Sequence, residues 1–170
     1  MTPRSRRMTL FAGSAAISLL LWKTVATPLP LLVWNASASV SVGLYVVAKQ
    51  RPDLGEIAVL KPPRWVALIA EERRYLPRSI WLLKPVAAVD KDVVCRFGAY
   101  VFINAKVVAR AQRRDSQHRP MPFWRGCLKL DSGQLLLLSK RRASFDSRYF
   151  GPVDASLVIG TAKPIILFRE

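Results

Sequence analysis

One histidine, His118, is the chain's whole supply of imidazole, and it stands in the polar run Arg113-Arg114-Asp115-Ser116-Gln117-His118-Arg119-Pro120. A Ser-His-Asp triad would have to use it. Such a run reads as a solvated loop, so activation of a nucleophile by imidazole is not expected. Two cysteines beside that histidine cannot assemble a metal-ligand cluster of the usual spacings, and no metal or other cofactor is expected. Acidic residues are also scarce: 11 Asp and Glu stand against 27 Lys and Arg in 170 residues, a net charge of +16. That balance favours an anionic partner, either a phospholipid surface or nucleic acid. Internal repeats and low-complexity segments are lacking. A hydrophobic fraction of 51% with 22% charged residues excludes a disordered chain, and the length fits one domain with a short appendage.

What is present begins with Arg4, Arg6 and Arg7, followed by an uncharged run from Met8 to Trp22 that Lys23 ends. A basic flank before an apolar run is the pattern of a membrane segment with its N-terminus inside, or of a secretory signal. As a helix the run covers about 22 Å of a roughly 30 Å hydrocarbon core. It lengthens if Lys23 snorkels and Val25 to Thr27 join. Ala36-Ser37-Ala38 has the small residues of a signal-cleavage site, which would leave Ser39 at a new N-terminus. That site ends sixteen residues past Trp22, so an uncleaved anchor is the reading adopted. Residues 1–34 are therefore expected to form a cytoplasmic basic tail and transmembrane helix, and 35–170 an extracytoplasmic domain.

Beyond Gly43 the pattern is of strands and turns. Tyr45–Ala48 and Glu56–Leu60 are short β-rich runs around Pro52-Asp53-Leu54-Gly55. Trp65 to Tyr75 is the one convincing helix, with Trp65, Leu68, Ile69 and Glu72 at helical spacing and Pro77 closing it. Ile80 to Val89 is a nearly continuous apolar strand holding Lys84, and Pro85 suggests an edge or a bulge. Val93–Phe97, Tyr100–Ile103, Lys106–Ala109, Leu135–Leu138, Leu157–Ile159 and Ile165–Phe168 read as further strands. Asn104-Ala105 reads as a hairpin turn and 110–122 as a polar basic loop. The fold class is mainly β with one short helix, preceded by the transmembrane helix.

Three clusters could carry chemistry. Trp34-Asn35-Ala36-Ser37-Ala38-Ser39-Val40-Ser41-Val42-Gly43-Leu44-Tyr45 puts hydroxyls on alternate residues, and spacing alone does not choose among Ser37, Ser39 and Ser41. Lys84, set among Trp81, Leu82, Leu83, Val86, Ala87 and Ala88, either snorkels out of a half-buried strand or loses its charge. A neutral lysine amine is a base able to take the proton of a serine. Ser144-Phe145-Asp146-Ser147-Arg148-Tyr149-Phe150-Gly151-Pro152 reads by itself as a turn with a local Asp146–Arg148 ion pair.

Together the three clusters resemble the type I signal peptidases, and most closely their TraF branch of conjugative-transfer peptidases. The resemblance rests on Ser39-Val40-Ser41-Val42-Gly43-Leu44-Tyr45, on Leu82-Leu83-Lys84 running into Val86-Ala87-Ala88, and on Ser144 to Pro152. It covers the chain from about Asn35 onward. Three positions depart from the family: Ser41 replaces a usual proline, Lys84-Pro85 a Lys-Arg pair, and Asp90-Lys91-Asp92 a Pro-Gly-Asp turn. The resemblance implies a signal-peptidase-like β domain with Ser39 as nucleophile and Lys84 as general base. It implies Ser37 as a donor to the oxyanion beside the Ser39 N–H, and Ser144 as the residue orienting the lysine. Asp146 and Arg148 become a supporting pair. Cys95 and Cys127 match a cysteine pair of the family, which an oxidising periplasm would join.

The function implied is a membrane-anchored Ser-Lys endopeptidase on the outer face of the bacterial cytoplasmic membrane. Its expected partners are membrane lipids and a pro-pilin, or another exported precursor with small residues at −1 and −3. Pilin cyclisation is a further property of that branch. A general signal peptidase, or a non-catalytic basic tethered subunit of a secretion assembly, would fit the same anchor and charge; Arg113-Arg114 and Lys140-Arg141-Arg142 motivate the latter. Nucleic acid is not expected, because the topology puts these clusters outside the cytoplasm and no aromatic-interleaved basic stripe is present.

Overall fold

The computed structural model describes residues 31–76 and 81–168. The expected transmembrane helix lies almost wholly outside them, as do Pro77 and Ile80. No helix among the described residues is long and apolar enough to cross a membrane. Leu31 to Trp34, grouped with the anchor by hydropathy, instead make up most of strand β1 (Leu31–Asn35), which pairs antiparallel with β2 (Gly43–Ala48). Strand β1 is mostly exposed and lies at the edge of its sheet, a place that a run of apolar residues does not by itself distinguish from a membrane segment.

Seven strands form the larger sheet in the order β1, β2, β11, β3, β4, β9, β10. Here β3 is Ile57–Leu60, β4 Leu82–Ala88, β9 Gln134–Leu137, β10 Val153–Asp154 and β11 Val158–Leu167. Four strands form the smaller sheet in the order β7, β6, β5, β8, with β5 at Val93–Phe97, β6 at Tyr100–Ile103, β7 at Lys106–Arg110 and β8 at Gly126–Lys129. The fold is mainly β, as the run pattern indicates. Two details differ. Leu157–Ile159 and Ile165–Phe168 belong largely to one long strand, β11, because its middle residues, Gly160 to Ala162, are buried between two neighbours and carry no alternation. Strand β8 was not anticipated, since its four residues Gly-Cys-Leu-Lys are too short and mixed to show a period.

Helix α1 covers Arg64–Glu72. It buries Val66 and Ala70 against Ala111, Phe145 and Tyr149, while Trp65 and Leu68 stay exposed. The helix expected at 65–75 exists, then, but is rotated relative to the face drawn from Trp65 and Leu68. Pro85 lies not on an edge but on β4, between β3 and β9. The β4–β9 register shifts between Val86 and Ala88, so the bulge half of that expectation describes the strand. Cys95 and Cys127 face each other across β5 and β8 and are joined by a disulfide.

Candidate active site

The loop between β1 and β2 holds Ser37 and Ser39, and Asn35 organises it. The Asn35 amide nitrogen lies 2.7, 3.2 and 3.0 Å from the carbonyl oxygens of Ser37, Val40 and Ser41. Its side-chain oxygen accepts from the Ser37 N–H at 3.2 Å and from the Ser37 hydroxyl at 3.0 Å. One buried amide thus replaces the backbone ladder that a seven-residue turn lacks. The loop then enters β2 at Gly43, where a Cβ would meet the Ile166 carbonyl oxygen at 2.1 Å. Only glycine lets β2 begin that close to β11.

Lys84 comes from the middle of β4, opposite Ala58 of β3. Strand alternation puts it on the same face as Leu82 and Val86, two core residues, and it is 2% exposed. Its Nζ lies 2.6 Å from Ser39 Oγ and 2.9 Å from Ser144 Oγ. Burial lowers the Lys84 pKa from 10.5 to about 8; Asp146 opposes that shift and Arg148 adds to it. A large share of the amine is therefore uncharged at mildly alkaline pH. Ser37 Oγ lies 3.2 Å from Ser39 Oγ.

Beside the pair sits a buried ion pair. Arg148 Nε and Nη2 donate to the two carboxylate oxygens of Asp146 at 2.7 and 3.0 Å, a bidentate arrangement between side chains 2% and 0% exposed. Asp146 also caps helix α2 (Ser147–Phe150) by accepting from the Arg148 N–H, and Gly151, at φ 79°, ends that helix. Ser139 ties this pair to Ser39. Its N–H donates to Asp146 at 3.0 Å, its carbonyl accepts from Arg148, and its hydroxyl donates to the Ser39 carbonyl at 2.6 Å.

A cleft of about 700 Å³ opens in front of Ser39, Lys84 and Ser144, walled by Leu76, Met121, Phe145 and Tyr149. Its far wall is the polar segment 111–121. Asp115 fastens that wall to the turn that follows α1 by accepting from Tyr75 Oη at 2.6 Å, and it also accepts from the Arg119 side chain at 2.7 Å. Burial alone would push the Asp115 carboxyl up, but hydrogen bonds from Tyr75, Arg119 and Gln117 outweigh it and hold the group below the usual carboxylate range. His118 is exposed and lies outside the cleft lining.

Ser37, Ser39, Lys84, Ser144, Asp146 and Arg148, separated by up to 111 positions in sequence, are brought into one connected network. The disulfide lies apart from it, in the smaller sheet. Ser41 contributes its carbonyl, to Asn35 and to Tyr45 Oη at 2.7 Å. Asn35, Ser139, Tyr75 and Asp115 were not singled out from the sequence. Asn35 stands beside the serine cluster and could have been suspected as a turn-forming residue; Ser139 lies in Leu138-Ser139-Lys140, where nothing local marks it. Metal-binding clusters of His, Cys, Asp and Glu are absent among the described residues.

The family described as signal peptidase, peptidase S26 matches residues 4–167. The plasmid transfer protein TraF of Escherichia coli is 29% identical over 143 residues, covering 78% of this chain and 81% of that protein. The probable conjugal transfer protein TraF of Sinorhizobium fredii is 30% identical over 145 residues, covering 79% and 76%. The conjugal transfer protein TraF of Agrobacterium fabrum is 31% identical over 150 residues, covering 79% and 81%. Among solved structures, a signal peptidase I from Enterococcus faecalis covers 67% of this chain and 98% of its own at 19% identity and a TM-score of 0.39, too distant to bear on function.

Proposed function

The chain belongs to the signal peptidase S26 family, and from that premise we propose that it is a membrane-anchored serine endopeptidase with a Ser39–Lys84 dyad, acting on exported precursors of a conjugation system. The observation that carries this reading is a lysine amine, 2% exposed and with its pKa lowered to about 8, placed 2.6 Å from a serine hydroxyl at the floor of an open cleft. A buried cation beside a serine has no evident structural use, because an apolar residue would pack there at lower cost.

In this mechanism neutral Lys84 takes the proton of Ser39 Oγ as that oxygen attacks the scissile carbonyl. The oxyanion is met by the Ser39 N–H and by the Ser37 hydroxyl, which turns from Asn35 to reach it. Lys84 passes its proton to the leaving amine, and the acyl-enzyme is released by water that Lys84 deprotonates in turn. Ser144 keeps the amine directed at Ser39 throughout. An incoming amine held in place of that water would give a new peptide bond, and pilin ring closure is that case. By family likeness small residues, typically Ala, are preferred at −1 and −3.

Membrane apposition is supported by an exposed apolar strip at the β1–β11 end of the larger sheet. Leu32, Trp34, Ile166 and Phe168 are each 50–56% exposed, and the Trp34 and Phe168 rings lie 5.4 Å apart. The strip begins where the N-terminal segment ends in sequence, which suits a domain held against the outer face of the cytoplasmic membrane.

The test is co-expression with a cognate pro-pilin, comparing wild type, Ser39→Ala and Lys84→Ala by the intact mass of the pilin. Loss of processing in both variants is expected. Unchanged processing in both would end the peptidase reading and leave the tethered-subunit alternative. A product one water lighter than the linear form shows cyclisation, and equal cutting of unrelated precursors would assign a general signal peptidase.

A further inference from the structure

Ser39 forms a ridge between two depressions. On the side away from Lys84 and Ser144 lies a second cavity of about 480 Å³, bounded by Val40, Ser139, Lys140, Arg141, Leu167 and Phe168. A peptide whose carbonyl carbon sits at Ser39 Oγ enters the 700 Å³ cleft on one flank of that bond and crosses the ridge on the other. The two depressions differ in chemistry.

Among the described residues, the lining of the second cavity holds no acidic side chain and two basic ones, Lys140 and Arg141, the latter shared with the larger cleft. Lys140 is exposed and makes no ion pair with any described residue. The backbone acceptors nearby are already used. The Ser39 carbonyl accepts from Ser139, the Val40 carbonyl from Asn35, and the Ser41 carbonyl from Asn35 and Tyr45. The Val42 carbonyl accepts from the Phe168 N–H at 2.9 Å. The Asp146 carboxylate, bonded to the Ser139 N–H, is fully buried and held bidentately by Arg148. Lys140 leaves its positive charge on offer beside apolar walls at Leu167 and Phe168. Such a surface favours a carboxylate with some apolar chain beside it and disfavours a cation.

We propose that this cavity is a substrate subsite for an acidic segment of the precursor, carried on the flank of the cleaved bond that does not enter the larger cleft, with Lys140 as its main charge contact. It rests on the peptidase reading given above and adds a charge preference to it. That Lys140-dependent preference is confined to one side of the bond, because Lys140 lines the second cavity and not the larger cleft, where Asp115 stands with Arg114, Arg141 and apolar walls.

The test uses the full chain in detergent micelles and a series of peptides with an Ala-x-Ala centre, carrying Glu, Gln or Lys at each position from −4 to +4. Values of kcat/KM are read on the wild type and on Lys140→Glu, and Kd on Ser39→Ala with and without Lys140→Glu. The wild type is expected to favour Glu over Lys by about tenfold at positions on one flank only, the effect of one charge-assisted contact. The preference should shrink at high salt and reverse in Lys140→Glu. Equal values for Glu and Lys at every position, or a preference that survives Lys140→Glu, overturn the inference. Should no peptide be cut, the peptidase reading fails, and the Kd pair on Ser39→Ala still decides whether the cavity selects acidic segments. Lys140→Glu weakening binding to phosphatidylglycerol vesicles without moving the peptide preference would assign the cavity to lipid and overturn the subsite.

Discussion

The Ser139 hydroxyl donates to the carbonyl of Ser39, 100 residues earlier in the chain, at 2.6 Å. It fixes the peptide plane of the serine whose side chain meets Lys84, and its own backbone is held by Asp146 and Arg148. Through Ser139, the ion pair acts on the Ser39 backbone as well as on Lys84. Ser139→Ala should lower kcat about tenfold with little change in KM, the loss of one positioning hydrogen bond in a site that must hold its geometry. Ser139→Thr should restore most of it. Steady-state kinetics on a cleavable peptide separate the two.

Lys84 gives the site its pH dependence. Because the neutral amine is the reactive form, kcat/KM should rise with pH along a limb centred near the value of about 8 set by burial. Stability follows the same group. Above pH 10.5 both folded and unfolded chains carry the neutral amine; as pH falls from there to about 8 the unfolded chain binds the proton first, and the folded state loses stability. Lys84→Met should therefore be more stable than wild type at pH 6 by about 3 kcal/mol, from a shift of 10.5 to about 8, with the gain vanishing above pH 10.5. Urea unfolding at several pH values checks it.

Asp146→Asn leaves the Arg148 guanidinium, 2% exposed, without its counter-charge. Breaking a buried pair from one side costs about 3–5 kcal/mol, which denaturant unfolding would read directly. Burial lowers the Lys84 pKa and Asp146 opposes it, so in the fraction that folds the activity limb should move to lower pH. Asp146→Glu tests whether charge alone suffices.

The disulfide between Cys95 and Cys127 closes a separation of 32 residues in the smaller sheet. Replacing both cysteines by serine should cost about 3.5 kcal/mol in the chain-entropy account, with kcat little changed because neither residue borders the cleft. Unfolding and peptide cleavage measured on the same preparation distinguish this from damage to the site.

Much of the fold was legible because strands announce themselves by local pattern, as in Tyr100–Ile103 and Leu135–Leu138. Helix α1 was found from period but turned the wrong way, since Trp65 and Leu68 are apolar yet exposed and nothing in a helical pattern says which apolar stripe the core takes. The family resemblance picked out the six residues that the fold joins into one network. Ser139 and the Tyr75–Asp115 clasp escaped because their value lies in partners far away in the chain, 40 residues apart for the clasp and 100 for Ser139. The partners of Asn35 are local, Ser37, Val40 and Ser41, and its part in the loop shows only once the loop is folded. An asparagine or serine of that kind looks like any other turn residue until the sheet is built.

Strand β11 has a temporal meaning as well as a spatial one. It lies between β2 and β3, so the half of the sheet that leads in from Ser39 and the half that bears Lys84 touch no strand in common until it is in place. It is the last strand in chain order among the described residues. Until it pairs with both neighbours, no ladder of strands joins the segment that carries the serine to the segment that carries the lysine. Assembly of the Ser39–Lys84 pair is thereby tied to the docking of β11, the step that closes the larger sheet.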